Sequence, residues 1–343
     1  MKLMLKLSVV LAMVLTFSSC STGVVSQNSK ETTGNSGQSV QPSQVQTSVK
    51  TPTPVKIPSS KEMVATLCSD EFQGRLTGSK GNEEAGEYIG KNFKDIGLTP
   101  LFEYSYYEPY TQEVYKKSGL IDKDDKPENK EVNNVVGVIK GKDSKKAVVI
   151  SAHFDHLGYV NGTINRGALD NASGVSALIE IAHTLKEKSK EKFFDMDIVL
   201  CAFNGEETGL NGSRAFVEDI ESKSVYGNLY NINIDCIGAK DGGKLALKNK
   251  SKVSNKLYDA IKTTMKIDNI EFSDTAVIGL GDHLSFEGAS IPNVFLVQEN
   301  VKKLVHTPKD TPDILDYGQI KKIANAICDF IETNEAVDFK LSK

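Results

Sequence analysis

The stretch AVVISAHFDH (residues 147–156) is rich in β-branched apolar residues and ends in two histidines and an aspartate. A short apolar run of this composition is typical of a buried strand. Two later stretches have the same form, MDIVLCAFNGEE at 196–207 and LYNINID at 229–235. Segments with helical spacing separate the three runs. Strands that alternate with helices predict an α/β fold of three layers, in which helices flank both faces of a mixed central sheet.

The same signals predict further elements on either side of these runs. A capping box at 59–62 begins a helix that reaches about 68, and Gly97 ends a second helix at 80–96. Gly141 and its neighbours separate two strand patterns and predict a hairpin, whereas residues 103–130 predict a surface excursion or an irregular hairpin. The other strands are expected at 134–139, 244–247 and 293–297, and the other helices at 173–186, 213–220, 253–264, from about 283, and at 317–333.

The composition is that of an ordinary globular protein. Of 343 residues, 39% are hydrophobic and 25% are charged, and the formal net charge is −4. The sequence has no cluster of basic residues interleaved with aromatic ones, which argues against a nucleic acid as partner. Of the five cysteines, the four beyond Cys20 are too widely spaced for a zinc finger or a disulfide scaffold, and the sequence leaves their pairing open. They are Cys68, Cys201, Cys236 and Cys328.

The beginning of the chain differs in composition from the rest. Residues 1–19 combine a positively charged start with an apolar run, the pattern of a secretory signal peptide. Small residues before Cys20 resemble a lipobox, so we expect an extracytoplasmic lipoprotein anchored through Cys20, with plain secretion as the alternative. Residues 20–57 are rich in Ser, Thr, Gln, Gly and Pro and predict a flexible tether. Residues 58–343 are expected to form a single domain.

Histidines and carboxylates follow the predicted strands at the points where the strands end. Ligands of open α/β sheets bind at the carboxyl ends of the strands, so residues far apart in sequence are expected to converge there. One member of the set, Asp170, precedes a helix instead. The candidate residues are His153, Asp155, Asp170, Glu206, Glu207, Asp235 and His306.

Such a set can hold two divalent metals, which need a carboxylate between them and similar ligands on each side. Asp170 can bridge the pair. His153 and Asp235 can complete one metal, and Glu207 and His306 the other. Imidazole and carboxylate ligands suit zinc, with cobalt or manganese as substitutes.

Two carboxylates remain after the ligands are assigned. Glu206 can take a proton from an activated water and later deliver it to a leaving amine. Asp155 lies two residues from His153 and can orient its imidazole, as carboxylates commonly do for metal-bound histidines.

Other polar residues have both a structural and a functional interpretation. His156 is a further candidate ligand, although His153 is better placed for orientation by Asp155. Arg75 either binds a substrate carboxylate or has a structural role in its glycine-flanked loop. The pair at 282–283 either shapes a substrate pocket or begins a helix, and His183 is interpreted as a core or surface residue.

The motifs together resemble those of the aminopeptidase Y-type zinc metallopeptidases, a family of co-catalytic di-zinc exopeptidases. The resemblance covers about residues 60–335. The matching segments are FQGR (72–75) with Gly78, ISAHFDH (150–156), GALDNASG (167–174), FNGEETGLNGS (203–213), INID (232–235), GDHLSF (281–286) and HTPKD (306–310).

The resemblance implies a zinc-dependent exopeptidase fold. Members of the family often carry a protease-associated insert, but the stretch before Asn133 is too short for one, so we expect a single catalytic domain. The resemblance also implies an aminopeptidase that acts on peptides with a free N-terminus, and the expected lipid anchor would be its only contact with the membrane. Glu206 would be the general base, a water that bridges the metals would be the nucleophile, and Asp155 would orient His153. The implied ligands are Asp170 as the bridge, His153 and Asp235 for one zinc, and Glu207 and His306 for the other.

Four other functions stay open on the sequence alone. Carboxypeptidases and dipeptidases share similar metal ligands. A glutaminyl cyclase-like acyltransferase would use the same scaffold, but that family, as the resemblance has it, places an indole in its pocket, and this chain has no Trp. A non-catalytic surface receptor on the same fold is the alternative from a different class.

Overall fold

A mixed β-sheet forms the centre of the protein. The computed structural model describes residues 56–102, 105–116, 126–248, 251–273 and 279–340. Within these residues, eight strands form the main sheet and two short strands form a separate ribbon. The strands are β1 (Thr99–Pro100), β2 (Tyr107–Val114), β3 (Glu128–Ile139), β4 (Asp143–His153), β5 (Tyr159–Val160), β6 (Thr163–Ile164), β7 (Met196–Phe203), β8 (Asn228–Ile234), β9 (Leu245–Lys248) and β10 (Asn293–Gln298).

Seven α-helices accompany the strands in the described parts of the chain. The capping box predicted at Ser59 is present. The Ser59 side chain accepts a hydrogen bond from the backbone N–H of Glu62, and the Glu62 carboxylate accepts one from the backbone N–H of Ser59. Gly97 ends the second helix in a left-handed conformation, as expected. The helices are α1 (Ser60–Leu67), α2 (Lys80–Ile96), α3 (Ser173–Ser189), α4 (Asn211–Ser222), α5 (Asn255–Ile267), α6 (His283–Gly288) and α7 (Tyr317–Asn334).

The strand order places four parallel strands together in the sheet. The order is β1-β3-β7-β4-β8-β10-β9, and β2 pairs with β3 outside this path. Strands β7, β4, β8 and β10 run parallel to their neighbours in this set, whereas β3 and β9 are antiparallel to the strands beside them. The carboxyl ends of the four parallel strands therefore meet at one edge of the sheet.

The hairpin predicted at Gly141 is wrong, because β7 lies between β3 and β4. The segment around Gly141 instead crosses the beginning of β7. Gly141 donates its N–H to the carboxylate of Asp197, 2.8 Å away, and Ser144 and Lys140 bond the same carboxylate. Turn residues in a sequence show that the chain reverses direction. They do not show whether another strand, here β7, lies between the two strands that the turn connects.

An irregular hairpin was one of the two interpretations of residues 103–130, and the structure has an antiparallel strand pair there, although the sequence did not predict the strand bounds. Strand β2 pairs antiparallel with β3 over eight residues, from Tyr107 opposite Val135 to Val114 opposite Glu128. Strand β3 accordingly begins at Glu128 and not near residue 134. Part of the predicted excursion, residues 103–104 and 117–125, lies outside the described residues.

Both faces of the sheet are covered, which confirms the predicted three-layer α/β fold. On one face, Val148 and Ile150 belong to a core with apolar residues of α1, α2, α3, α5 and α7. On the other face, Val149 and Cys201 belong to a core with residues of α4 and α6. Alternate residues of a strand point to opposite faces, so a run that is apolar at every position indicates a sheet buried on both sides.

The N-terminal predictions fall on residues that the structure does not cover. The signal peptide at 1–19, the lipidated Cys20 and nearly all of the tether at 20–57 lie outside the described residues. No helix in the described ranges combines the length and hydrophobicity that a bilayer crossing requires. The four cysteines in the described part of the chain are all buried and unbridged, and Cys201 is a core residue of β7, as predicted.

Candidate metal centre

Seven polar residues predicted from the sequence converge at the carboxyl edge of the four parallel strands. His153 is the last residue of β4, and Asp235 directly follows β8. Each of the others lies in a loop that leaves this edge or approaches it. Asp155 follows β4, Glu206 and Glu207 follow β7, His306 follows β10, and Asp170 lies in the irregular turn before α3.

Asp170 occupies the middle of the cluster, and its two carboxylate oxygens face different histidines. Its Oδ1 lies 3.2 Å from His153 Nε2, which is also 3.5 Å from Asp235 Oδ1. Its Oδ2 lies 3.1 Å from His306 Nε2, which is 3.0 Å from Glu207 Oε2. Two ligands of one tetrahedral zinc are separated by ~3.3–3.6 Å when each bond is about 2.0–2.2 Å long. These separations are close to that range.

Orphaned polar atoms show that the residues fit a metal. His153 Nε2 and Asp235 Oδ1 are buried and have no hydrogen-bond partner among the described residues. A buried donor or acceptor without a partner costs free energy, and a bound cation would remove this cost. Imidazole nitrogens and carboxylate oxygens are also the donors that zinc takes in proteins. His153, Asp170 and Asp235 could therefore hold one divalent ion.

The charge balance of the cluster also favours a bound cation. Burial would lower the pKa of His153, but the neighbouring carboxylates Glu206 and Asp235 raise it well above its usual value. Hydrogen bonds to Asp170 and Glu207 raise the pKa of His306 to about 11. Burial would raise the pKa of Asp170, yet the two imidazoles hold it well below its usual value. The carboxylates thus attract positive charge strongly.

Asp155 lies beside His153 and also holds a neighbouring turn. His153 Nδ1 lies 3.2 Å from the backbone carbonyl of Asp155 and 3.6 Å from its carboxylate, so the carbonyl is the closer partner. The Asp155 carboxylate also accepts the backbone N–H groups of Glu206 and Glu207, at 3.1 and 3.2 Å, and the hydroxyl of Thr77. Its side chain therefore fixes the turn that carries the proposed base.

Glu206 lies on this turn, with its side chain half-buried at the cluster. Burial raises the pKa of its carboxyl group well above the usual value, and the charges of Asp235 and Glu207 act in the same direction, against His153. A carboxylate with a raised pKa is a better proton acceptor than an ordinary one. Its surroundings therefore suit a general base.

A network of side-chain amides holds the same turn from behind, and the sequence did not predict it. Asn204 and Asn82 exchange amide hydrogen bonds of 3.0 and 2.9 Å. Asn134 accepts the backbone N–H of Asn204 and donates to the carboxylate of Glu108. Tyr110 donates to the carbonyl of Asn204 at 2.8 Å. Two of these residues come from β2, and no sequence signal pointed there.

Asp310 is a second positioning residue that the sequence did not assign. Its carboxylate oxygens accept the backbone N–H groups of Leu169 and Asp170, at 2.6 and 3.1 Å. The turn before α3 is thereby held in place, and its Asp170–Asn171 peptide bond is cis. The only signal in the sequence was that Asp310 closes the HTPKD motif.

Arg75 has a structural role, which was one of the two interpretations that the sequence allowed. It is fully buried, and its guanidinium donates to four backbone carbonyls, those of Leu67, Phe154, Arg166 and Gly167. It joins α1 to the segments that precede Asp170 and follow His153. It is not exposed to a substrate.

The remaining histidines and the 282–283 pair are also placed by the structure. Asp282 is a fully buried residue directly before α6, which favours the helix-start interpretation over a pocket wall. Burial raises its pKa to about 7. His183 is exposed on α3. His156 is fully buried, and its Nδ1 lies 2.7 Å from Glu207 Oε1.

A histidine–carboxylate cluster at the carboxyl edge of a doubly covered α/β sheet defines the class of the metal-dependent hydrolases. Residues 134–331 match the sequence model of Peptidase family M28, and this range covers more than half of the chain. The chain belongs to peptidase family M28. The resemblance to zinc metallopeptidases drawn from its motifs is thereby confirmed.

A similar protein with a named activity is aminopeptidase YwaD of Bacillus subtilis. The two are 26% identical over 208 residues, which is 58% of this chain and 44% of YwaD. The chain thus matches less than half of the length of this relative.

Solved structures show the same fold at low sequence identity. The zinc aminopeptidase BSAP from Bacillus subtilis superposes with a TM-score of 0.64 at 16% identity, over 84% of this chain and 98% of that one. A glutaminyl cyclase from Fimbriiglobus ruber gives a TM-score of 0.63 at 20% identity, over 82% of this chain and 96% of that one.

Proposed function

We propose that this protein is a di-zinc aminopeptidase. The carrying observation is the position of Asp170, whose two oxygens face His153 on one side and His306 on the other. Asp235 would complete the first zinc site and Glu207 the second. Such a pair of sites with a shared carboxylate is the arrangement that two-metal hydrolases use.

The residues of the site would divide the work of peptide hydrolysis. The metals, when bound, supply Lewis acidity that polarises the scissile carbonyl and makes water easier to deprotonate. Glu206 accepts the proton of the attacking water and donates it to the departing amine. Asp155 keeps Glu206 in place through the backbone N–H bond of 3.1 Å. The buried surroundings of the cluster strengthen each of these electrostatic interactions.

Charge supports the choice of an N-terminal substrate. Five of the seven clustered residues are carboxylates, so the four positive charges of two zinc ions would leave no excess of positive charge for a substrate carboxylate. The α-ammonium of a free N-terminus suits such a site better than a C-terminal carboxylate. The aminopeptidase activity for which YwaD and BSAP are named agrees with this choice.

A panel of substrates tests the proposal. Aminoacyl-anilides and their N-acetylated counterparts are incubated with the full chain, with and without a chelator, and zinc is then added back. We expect hydrolysis of the free-amine substrates only, lost with the chelator and restored by zinc. Equal cleavage of blocked substrates, or turnover that persists in the chelator, would contradict an aminopeptidase of this kind.

The role of Glu206 is tested by the variant Glu206→Gln. The amide cannot accept the proton, so we expect kcat to fall by about 10²–10⁴-fold. Bound zinc, measured by elemental analysis, should stay near the wild-type stoichiometry because Glu206 is not among the proposed ligands. Glu218→Gln, an exposed residue of α4, is the matched control and should leave both quantities unchanged. Near-normal turnover in Glu206→Gln would refute the assignment.

Glutaminyl cyclisation is a second candidate, favoured by the structural similarity to the Fimbriiglobus ruber enzyme. The absence of Trp from the chain argues against it. Incubation with a peptide that begins with Gln separates the two activities. Release of ammonia without release of a free amino acid would identify a cyclase.

We also propose an extracytoplasmic location with Cys20 as a lipid anchor. This proposal rests on the sequence of residues 1–57 alone. Metabolic labelling with a radioactive fatty acid should mark the wild-type chain and not the variant Cys20→Ala. Equal labelling of both chains, or of neither, would exclude the anchor.

A further inference from the structure

His156 and Glu207 form a close pair at the side of the cluster. His156 is fully buried, and its Nδ1 lies 2.7 Å from Glu207 Oε1. The other oxygen of the same carboxylate, Oε2, lies 3.0 Å from His306 Nε2. The two oxygens of Glu207 therefore have separate partners, one on each side.

The separation identifies a hydrogen bond and not a shared metal. Two ligand atoms on one tetrahedral zinc lie ~3.3–3.6 Å apart, whereas 2.7 Å is the length of a charge-assisted hydrogen bond. His156, Asp170 and Glu207 lie close enough together to be considered as a metal-binding group. The short contact nevertheless leaves no room for an ion between His156 Nδ1 and Glu207 Oε1.

The surroundings of the ring indicate its tautomer. His156 Nε2 is buried and has no hydrogen-bond partner in the described ranges of the chain. Nδ1 faces a carboxylate oxygen, which can only accept, so the hydrogen bond to Glu207 requires the proton on Nδ1.

The backbone around His156 holds the ring in place. The N–H of His156 donates to the carbonyl of Arg75 at 3.1 Å, and Arg75 is itself anchored by its buried guanidinium. Gly167 packs directly on the ring, since a Cβ at this position would lie 2.6 Å from His156 Cγ. Because the imidazole of His156 is held in place, its hydrogen bond can hold the carboxylate of Glu207 in place as well.

We propose that His156 is a positioning residue that holds Glu207 Oε1, so that Oε2 stays directed at the zinc site of His306. This inference rests on the proposed di-zinc function. Removing a partner that orients a metal ligand typically lowers metal affinity by about 10–100-fold. The loss should affect the zinc site that contains Glu207 and spare the one that contains His153 and Asp235.

Zinc affinity of substitution variants tests the proposal without any substrate. His156→Leu removes the donor, whereas His156→Asn places an amide N–H near the position of Nδ1. Competition against a chromophoric chelator gives the two dissociation constants of the full chain. Circular dichroism checks that each variant is folded. His183→Asn, at an exposed residue of α3, is the matched control.

We expect His156→Leu to weaken one zinc site by about 10–100-fold and leave the other unchanged. His156→Asn should recover most of the loss, and His183→Asn should bind as the wild type does. Wild-type affinity in His156→Leu would overturn the proposal. An Asn variant as weak as the Leu variant would also overturn it and would indicate a direct ligand. A wild-type chain that binds fewer than two zinc ions would refute the proposed function itself and this inference with it.

Discussion

At the scale of single residues, neutral backbone groups do most of the positioning in this site. The Asp155 carboxylate accepts two backbone N–H groups, and the Asp310 carboxylate accepts two more. Arg75 donates only to backbone carbonyls. Hydrogen bonds that pair a charged side chain with the backbone are stronger than neutral ones, so the loops they fix are held firmly.

Glu108 makes stability depend on pH. It is buried, its Oε2 accepts from Asn134 at 2.8 Å, and its Oε1 has no partner among the described residues. Burial raises its pKa to about 8. Between the ordinary pKa and this value, the folded protein retains a proton that the unfolded chain has released. The contribution of Glu108 to stability is therefore full below about pH 4.5 and is lost as the pH rises through about 8.

The variant Glu108→Gln should remove this dependence, because the amide imitates the protonated acid. We expect the unfolding free energy of the variant, relative to that of the wild type, to rise by up to a few kcal/mol as the pH is raised from 5 to 8.5. Urea unfolding at a series of pH values measures the difference. Glu113→Gln, an exposed residue on the same strand, is the control. A difference that is constant over this pH range would show that Glu108 is ionised in the folded protein.

Single residues were predictable where their chemistry left few choices. The five proposed ligands and Glu206 follow apolar runs or precede a helix, and the rule for α/β sheets brings such positions to one edge. The role of Asp155 was only partly predictable, because the sequence does not show whether the carboxylate or the carbonyl faces His153. Asp310 bonds backbone N–H groups of a distant segment and Asn204 bonds distant side chains, and no local pattern encodes such partners.

At the scale of elements, β2 supports the turn of the proposed base. Alternate residues of a strand share a face, so Glu108, Tyr110 and Gln112 all point to the same side. Tyr110 bonds the carbonyl of Asn204, before the turn, and Gln112 donates to the hydroxyl of Thr208, after it. A strand far from the ligands in sequence thus holds both ends of the segment that carries Glu206.

The variant Tyr110→Phe removes one of these bonds and tests the support. Asn204 keeps the N–H of Gly212 as a partner for its carbonyl, so the fold should tolerate the change. We expect kcat to fall by about 3–10-fold because small displacements of a catalytic group are costly. Tyr107→Phe, on the opposite face of β2, is the control. Equal kcat values in both variants would mean that β2 does not position the turn.

Element prediction failed where the outcome depended on distant partners. Every residue of β7 is buried, and such a run is easily recognised. Strand β2 has the sequence YEPYTQEV. Pro109 and several polar residues weaken the strand pattern in this segment, and it is recognised as a strand only by its pairing with β3. The part of β3 before residue 134 depends on β2 in the same way, because its residues pair with that strand.

At the scale of the whole molecule, the metals would join segments that are distant along the chain. The proposed ligands extend from His153 to His306 and follow parallel strands of the sheet, with Asp170 beside them. An ion that binds only the folded form stabilises it by mass action, by about 4 kcal/mol per site when free zinc exceeds its Kd a thousandfold.

Removal of zinc should therefore lower the midpoint of thermal unfolding. We expect the chelated protein to stay folded at room temperature, because neither apolar core contains a proposed metal ligand, and to recover its midpoint when zinc is added back. Calorimetry of the wild type and of Asp170→Asn checks this. The variant has a neutral amide in place of the bridging carboxylate, so zinc should raise its unfolding midpoint much less. An equal gain in both would contradict a bridging role for Asp170.

Strand β7 separates β3 from β4 in the sheet although it follows both in the sequence. While the chain is being synthesised, Ile139 and Val148 reach the ribosome exit before their common partner, Ile198, has been made. The nascent chain therefore carries two strand edges with open hydrogen-bonding groups, which invite pairing with other chains. A chain that ends before residue 196 would keep both edges open and be prone to aggregation, whereas a chain in which β7 has also left the ribosome can close them.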